Sequence, residues 1–199
     1  TIRGKVHVAP VPGKKVEHRG VRVELIGQIE QYGDRSTTDF LALARDLDPP
    51  GELSSPKSMP FEFKHVEMQY ESYHGINVRL RYFLRVTVSR SYASNVTQEF
   101  KYWVRNPVPA LPEMNNSIRM EVGIEDCLHI EFEYAKAKYS LRDVVVGKIY
   151  FLLVRIKIKH MELEIRRRES TESGASAHSE SETIAKYEVM DGAPVRGES

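Results

Sequence analysis

The sequence predicts an all-β protein of the antiparallel-sandwich type, and three observations carry that prediction. Apolar and polar residues alternate with a period of two through much of the chain, only one segment has helical spacing, and a proline-rich connector divides the whole. Side chains alternate across a strand, so period-two patterning marks a strand with one buried and one wetter face. Many such strands beside a single short helix point to antiparallel sheets packed face to face.

The elements follow in chain order. Ile2-Arg3-Gly4-Lys5-Val6-His7-Val8 is strand-like from the start, and Val21-Arg22-Val23-Glu24-Leu25 repeats the alternation. Thr38 can cap a short helix in which Phe40, Leu43, Ala44 and Leu47 share a face, ended by Pro49-Pro50-Gly51. Phe61-Glu62-Phe63 is a weaker strand. From Val78 to Val88 the alternation is longest: Val78, Leu80, Tyr82, Leu84, Val86 and Val88 point one way, and Arg79, Arg81, Phe83, Arg85 and Thr87 the other. Phe100-Lys101-Tyr102-Trp103-Val104 closes this part.

Three prolines in the stretch from Asn106 to Asn116 remove backbone donors and hold φ, which predicts a stiff, extended connector between two sheet systems. The expected organisation is an N-terminal sandwich over residues 1–105, a linker over 106–118 and the first part of a second sandwich over 119–199. Beyond the connector, Leu128-His129-Ile130-Glu131-Phe132-Glu133-Tyr134 is a further strand. From Ile149 to Ile165 the apolar set shifts by one position after His160, so a bulge or bend is expected near Lys159–His160. Glu169 to Thr183 is rich in Ser and Glu and has too little apolar surface to offset its ordering entropy; it is expected to be a mobile loop within a sheet.

Composition narrows the function classes. With 199 residues and 41% hydrophobic content, the chain can bury a core without disulfides or metal. A formal net charge of +1 gives no call for nucleic acid or an anionic bilayer as main partner. The one cysteine, Cys127, cannot form an internal disulfide, which favours a reducing, cytosolic compartment. Asn95-Val96-Thr97 and Asn115-Asn116-Ser117 match the glycosylation sequon and are read as chance matches. No apolar run approaches the roughly 18–20 residues of a membrane span, and the chain reads as an internal piece of a longer protein.

Catalytic and metal-binding patterns are scarce. No Gly-rich phosphate loop, His-Glu-x-x-His, Cys-x-x-Cys or Gly-x-Ser-x-Gly occurs. Cys127, His129 and Glu131 share one strand face, but neighbours on a strand face sit about 6.5–7 Å apart, beyond hydrogen-bond reach. The trio therefore reads as a free cysteine on a polar face rather than a nucleophile pair. His65 and His74, near Glu62, Glu67 and Glu71, fit no structural or catalytic zinc spacing. Arg79, Arg81 and Arg85, with Lys101 and Arg105 adjacent, could grip phosphate or an acidic surface; a solvated sheet face explains them more simply. No enzyme activity, cofactor or metal is expected.

Four runs carry an identification. They are Arg79-Leu80-Arg81-Tyr82-Phe83-Leu84, Met120 to Tyr134, Val146 to Ile158, and Glu182 to Val195. Together they resemble the vacuolar protein sorting-associated protein 26 family, the arrestin-like subunit of retromer, over essentially the whole chain. The resemblance implies two arrestin-like, immunoglobulin-topology β-sandwich subdomains, the second incomplete. It also implies a non-catalytic adaptor that sorts transmembrane cargo from endosomes to the trans-Golgi network or the plasma membrane. The implied partners are the helical-solenoid subunit of retromer, sorting nexins and the cytosolic tails of cargo; self-association in a coat is left open by the sequence. Its implied place is the cytoplasm, peripherally on endosomal membranes.

Two sites follow from the resemblance. Val189 and Met190, before the Asp191-Gly192 turn, are similar to a hydrophobic plug that enters the solenoid subunit; the alternative is that both belong to the sandwich core. The strand starting at Arg119, with Met120, Val122 and Ile124, is similar to the place where cargo and a sorting nexin meet; the alternative is an ordinary paired strand. A different wiring of the same fold, as an arrestin-type regulator or a subunit of a related recycling complex, is the competing function. A β-sandwich enzyme using Cys127 and His129 is the third.

Overall fold

A computed structural model describes residues 1–107, 116–171 and 178–192, and among these it holds thirteen strands and no helix. The chain divides into two compact units, Thr1–Pro107 and Val108–Ser199. Most of the predicted connector, residues 108–115, lies outside the described residues.

The first unit is a sandwich. Its larger layer is a six-stranded antiparallel sheet centred on β2 (Val16–Gln31) and β7 (Val78–Arg90). β3 (Ser36–Asp48) and the short β4 (Gly51–Leu53) pair with β2. β6 (Tyr73–His74) and β8 (Val96–Tyr102) pair with β7. The second layer is the antiparallel pair of β1 (Ile2–Val8) and β5 (Lys57–Phe63). Val21, Val23 and Leu25 of β2, with Val86 and Val88 of β7, meet Val6, Met59 and Phe63 of the smaller layer in one core cluster. All but Met59 belong to the strand-like runs read from the sequence, buried because each face of a strand is reached every second residue.

The stretch Thr38–Leu47 is strand, not the expected helix. In the β2–β3 ladder Gly27 faces Leu41 while Gln28 faces Asp39, so Phe40 is an extra residue; Leu47 is extra in the same way, between the Val21–Asp48 and Arg22–Asp46 pairs. Each bulge shifts the phase of the strand by one. Two shifts convert a period-two pattern into apparent three- and four-residue spacing. Phe40 uses its position to set its ring edge-on against Tyr70 and Tyr82, with centroids 5.2 and 5.4 Å apart. Pro49-Pro50 does end the element, as the corner between β3 and β4.

On the other face of the large sheet Phe83 is fully buried, with the Arg81 guanidinium 4.2 Å from its ring centroid and Arg85 at 5.3 Å. The arginine stripe is paired. Arg81 Nε lies 2.7 Å from Glu30, Arg81 Nη1 lies 3.2 Å from Glu99, and Arg85 Nη2 lies 3.1 Å from Glu99. Stacked and paired cations hold the sheet face together rather than standing ready for phosphate.

The second unit has two sheets. β9 (Ile118–Ile124), β10 (Leu128–Tyr134) and β11 (Gly147–Val154) form a three-stranded antiparallel sheet in the order β11-β10-β9. β12 (His160–Thr171) and β13 (His178–Asp191) form a two-stranded ribbon. The predicted bend is a full break: residues 155–159 are irregular and separate strands of different sheets. Much of the expected loop at 169–183 is strand. Strand pairing continues through Ser170–Ser179 and Thr171–His178, leaving only 172–177 outside the described residues.

Candidate functional site

β9 is paired on one side only, by β10, and is therefore an edge among the described residues. The hairpin joining the two is tight. The Cys127 amide donates to the Ile124 carbonyl at 3.0 Å, and Asp126 takes a left-handed conformation, φ 56°, which Asp tolerates better than most residues. The register then fixes every side chain. Met120, Val122 and Ile124 lie opposite Phe132, Ile130 and Leu128 on one face; Arg119, Glu121 and Gly123 lie opposite Glu133, Glu131 and His129 on the other. Central Ile130 is buried, while Met120, Val122 and Ile124 each remain more than half exposed. An edge strand with a half-exposed apolar row offers backbone hydrogen bonds and side-chain pockets to an added strand.

Val189, Met190 and Asp191 are the last residues of β13, just before the turn at Gly192. Met190 faces Met161 and Asp191 faces His160, but Glu188 already faces Glu162, so Val189 is the extra residue of a bulge. A bulge re-aims a side chain and interrupts pairing, and here it leaves Val189 half exposed beside half-buried Met190. Gly192 follows at φ +90°, a conformation open to glycine, and its amide donates to the Lys159 carbonyl at 2.7 Å. That bond holds the end of β13 against the start of β12. The bulge was not visible in the sequence, since it depends on the register between two strands.

Cys127 lies in the β9–β10 turn and not on the strand. His129 Nε2 instead lies 3.6 Å from Glu121 across the ladder. His65 sits in a left-handed turn position and His74 in β6. Among the described residues, the one group of three or more His, Cys, Asp or Glu side chains close enough to share an ion is Glu121, His129 and Glu131. No described helix is long and apolar enough to cross a membrane.

Comparison with known proteins gives a consistent result. The family model described as Vacuolar protein sorting-associated protein 26 matches residues 1–199. The chain is 64% identical to Vacuolar protein sorting-associated protein 26B of Arabidopsis thaliana, over all of this chain and 66% of the relative. It is 60% identical to Vacuolar protein sorting-associated protein 26 of Dictyostelium discoideum, over all of this chain and 57% of the relative. It is 59% identical to Vacuolar protein sorting-associated protein 26B of Danio rerio, again over its full length and 60% of the relative. The chain thus spans roughly three fifths of the length of these relatives.

Proposed function

This chain belongs to the vacuolar protein sorting-associated protein 26 family, and we propose that it serves as a non-catalytic adaptor subunit of the retromer coat. In this reading it binds the helical-solenoid subunit and works with sorting nexins to move transmembrane cargo from endosomes to the trans-Golgi network or the plasma membrane. It acts from the cytoplasm as a peripheral component of endosomal membranes. The match to the family over residues 1–199, with identities of 59–64% to relatives from plant, amoeba and fish, carries the proposal.

The two sites divide the work. Val189, Met190 and Asp191 bind the solenoid subunit. A β-branched side chain re-aimed by a bulge, next to a flexible methionine, is an adaptable apolar anchor. Met120, Val122 and Ile124 bind the extended cargo tail, with the sorting nexin beside it. The half-exposed row on a strand paired on one side supports that assignment. The organisation into a sandwich over 1–105, a linker over 106–118 and the start of a second sandwich from 119 belongs to the same proposal, supported by a division after Pro107.

Co-purification tests it. The chain, extended to the length of its relatives, is expected to retain the solenoid subunit on a column, and a cargo-tail peptide is expected to bind only when the sorting nexin is also present. Failure to retain the solenoid subunit would overturn the adaptor reading, and tail binding without the nexin would overturn the shared-site assignment.

A further inference from the structure

The polar face of the β9–β10–β11 sheet contains an imbalance. Two carboxylates, Glu121 and Glu131, stand directly opposite one another in the β9–β10 ladder. Like charges in that position repel and destabilise the pair. One step along the same ladder, Glu133 faces Arg119 and is balanced: the Arg119 guanidinium lies 3.3 Å from it, and the Tyr150 hydroxyl donates to it at 3.1 Å. Among the described residues, neither Glu121 nor Glu131 makes an ion pair with an arginine or lysine. The one ion pair that either of them makes there is that of Glu121 with His129, whose Nε2 lies 3.6 Å from Glu121 Oε2.

That separation is informative. It is too long for a hydrogen bond, yet near the roughly 3.3 Å that separates two ligands of a tetrahedral ion bound at about 2.0 Å. One ligand atom from each of Glu121, His129 and Glu131 lies within 4.8 Å of the others. The residue opposite His129 in the ladder is Gly123, so no cross-strand side chain on β9 competes for the space beside the imidazole. Two carboxylate oxygens and an imidazole nitrogen make a mixed donor set. Carboxylates alone favour Mg²⁺ or Ca²⁺, and an added imidazole shifts preference to Zn²⁺ and its neighbours in the transition series.

We propose that Glu121, His129 and Glu131 form an open divalent-cation site of the Zn²⁺ class, bridging the edge strand β9 to the central strand β10. Three protein ligands leave at least one coordination position for water or for a side chain of a docked protein, as in other open zinc sites. The ion neutralises the opposed carboxylates and ties β9 to its neighbour on the face opposite Met120, Val122 and Ile124. The site does not depend on the retromer reading, because it uses only the chain's own residues.

The test is calorimetric titration of the chain with Zn²⁺ alone, together with its thermal midpoint with and without the ion. Wild type and Cys127→Ser are expected to bind one ion saturably and to melt higher with it. Glu121→Gln and His129→Gln remove direct ligands, so each is expected to weaken binding by no less than the roughly 10–100-fold that loss of outer-shell partners costs. Without Zn²⁺, Glu121→Gln is expected to melt at or above wild type, since it removes the repulsion. Absence of saturable binding, binding that survives both substitutions, or binding lost in Cys127→Ser each overturns the proposal. So does a metal-free Glu121→Gln chain that melts well below wild type, because the opposed carboxylates would then be stabilising the fold without an ion.

Discussion

Gly27 shows how one residue can fix a local fold. A Cβ there would lie 2.6 Å from two ring atoms of Phe40 and 3.0 Å from Tyr82. Phe40 cannot simply swing aside, because it is set edge-on between Tyr70 and Tyr82. Gly27→Ala is therefore expected to cost about 1–3 kcal/mol, the range for overpacking a core, read as a lower urea midpoint; an unchanged midpoint would show that the Phe40 bulge is soft. The two neighbouring tyrosines make an opposite pair. Tyr82 donates to the Tyr70 carbonyl at 2.7 Å, while the Tyr102 hydroxyl is enclosed with no hydrogen-bond partner among the described residues. Burial, then the nearby Tyr82, holds the Tyr102 hydroxyl above the ordinary value of 10.0, and burial does the same for Tyr82. A group that stays protonated longer when folded loses its advantage as the unfolded chain ionises, so stability falls as pH rises above that value. Tyr102→Phe is expected to stabilise the chain by up to about 1 kcal/mol and to flatten its alkaline decline, whereas Tyr82→Phe loses a bond and costs roughly 1 kcal/mol. Urea titrations at neutral and alkaline pH separate the two, and a destabilised Tyr102→Phe would contradict the unpartnered hydroxyl.

At the scale of elements, β9 carries the clearest functional expectation. Val122→Asp puts a charge in the middle of its half-exposed apolar row. It is expected to weaken binding of a cargo-tail peptide about tenfold or more, as loss of a central anchor does, while changing stability by no more than about 0.5 kcal/mol, as surface substitutions do. Fluorescence titration of the tail peptide in the presence of the sorting nexin reads the first, and wild-type affinity in the variant would remove β9 from the site. The strands β7 and β10, and the stretch of β2 from Val21 to Leu25, were legible in the sequence because one face of each carries an apolar row whose alternation runs unbroken. β3 was not, since bulges at Phe40 and Leu47 disguise its period. The outer ends of β12 and β13 were hidden for another reason. They pair through polar contacts such as Arg167 to Glu182 at 2.7 Å and Ser170 to Ser179 at 3.4 Å, so their composition resembles a loop. The cation site was half visible: His129 and Glu131 share a face at sequence spacing, but Glu121 joins them only through the hairpin register.

For the whole molecule, the contrast between the two units matters most. Of the buried apolar residues described, Ile130 alone belongs to the second unit, and the rest build the sandwich of the first. Residues 1–107 are therefore expected to fold alone, with one cooperative urea transition at the midpoint they show within the longer chain; a fragment without a cooperative transition would mean that its core needs the second unit. The second unit instead holds the apolar rows and bulges assigned to partners. Its family membership made the adaptor reading accessible from sequence, through long matched runs rather than any short motif. The position of Val189 at a bulge, by contrast, came only from strand register. The adaptor claim meets its most direct test at that point. Isothermal titration of the solenoid subunit with wild type and with the double variant Val189→Asp, Met190→Asn should show tight binding by the first and none by the second, at equal thermal midpoints. Binding of equal strength by both would contradict the account.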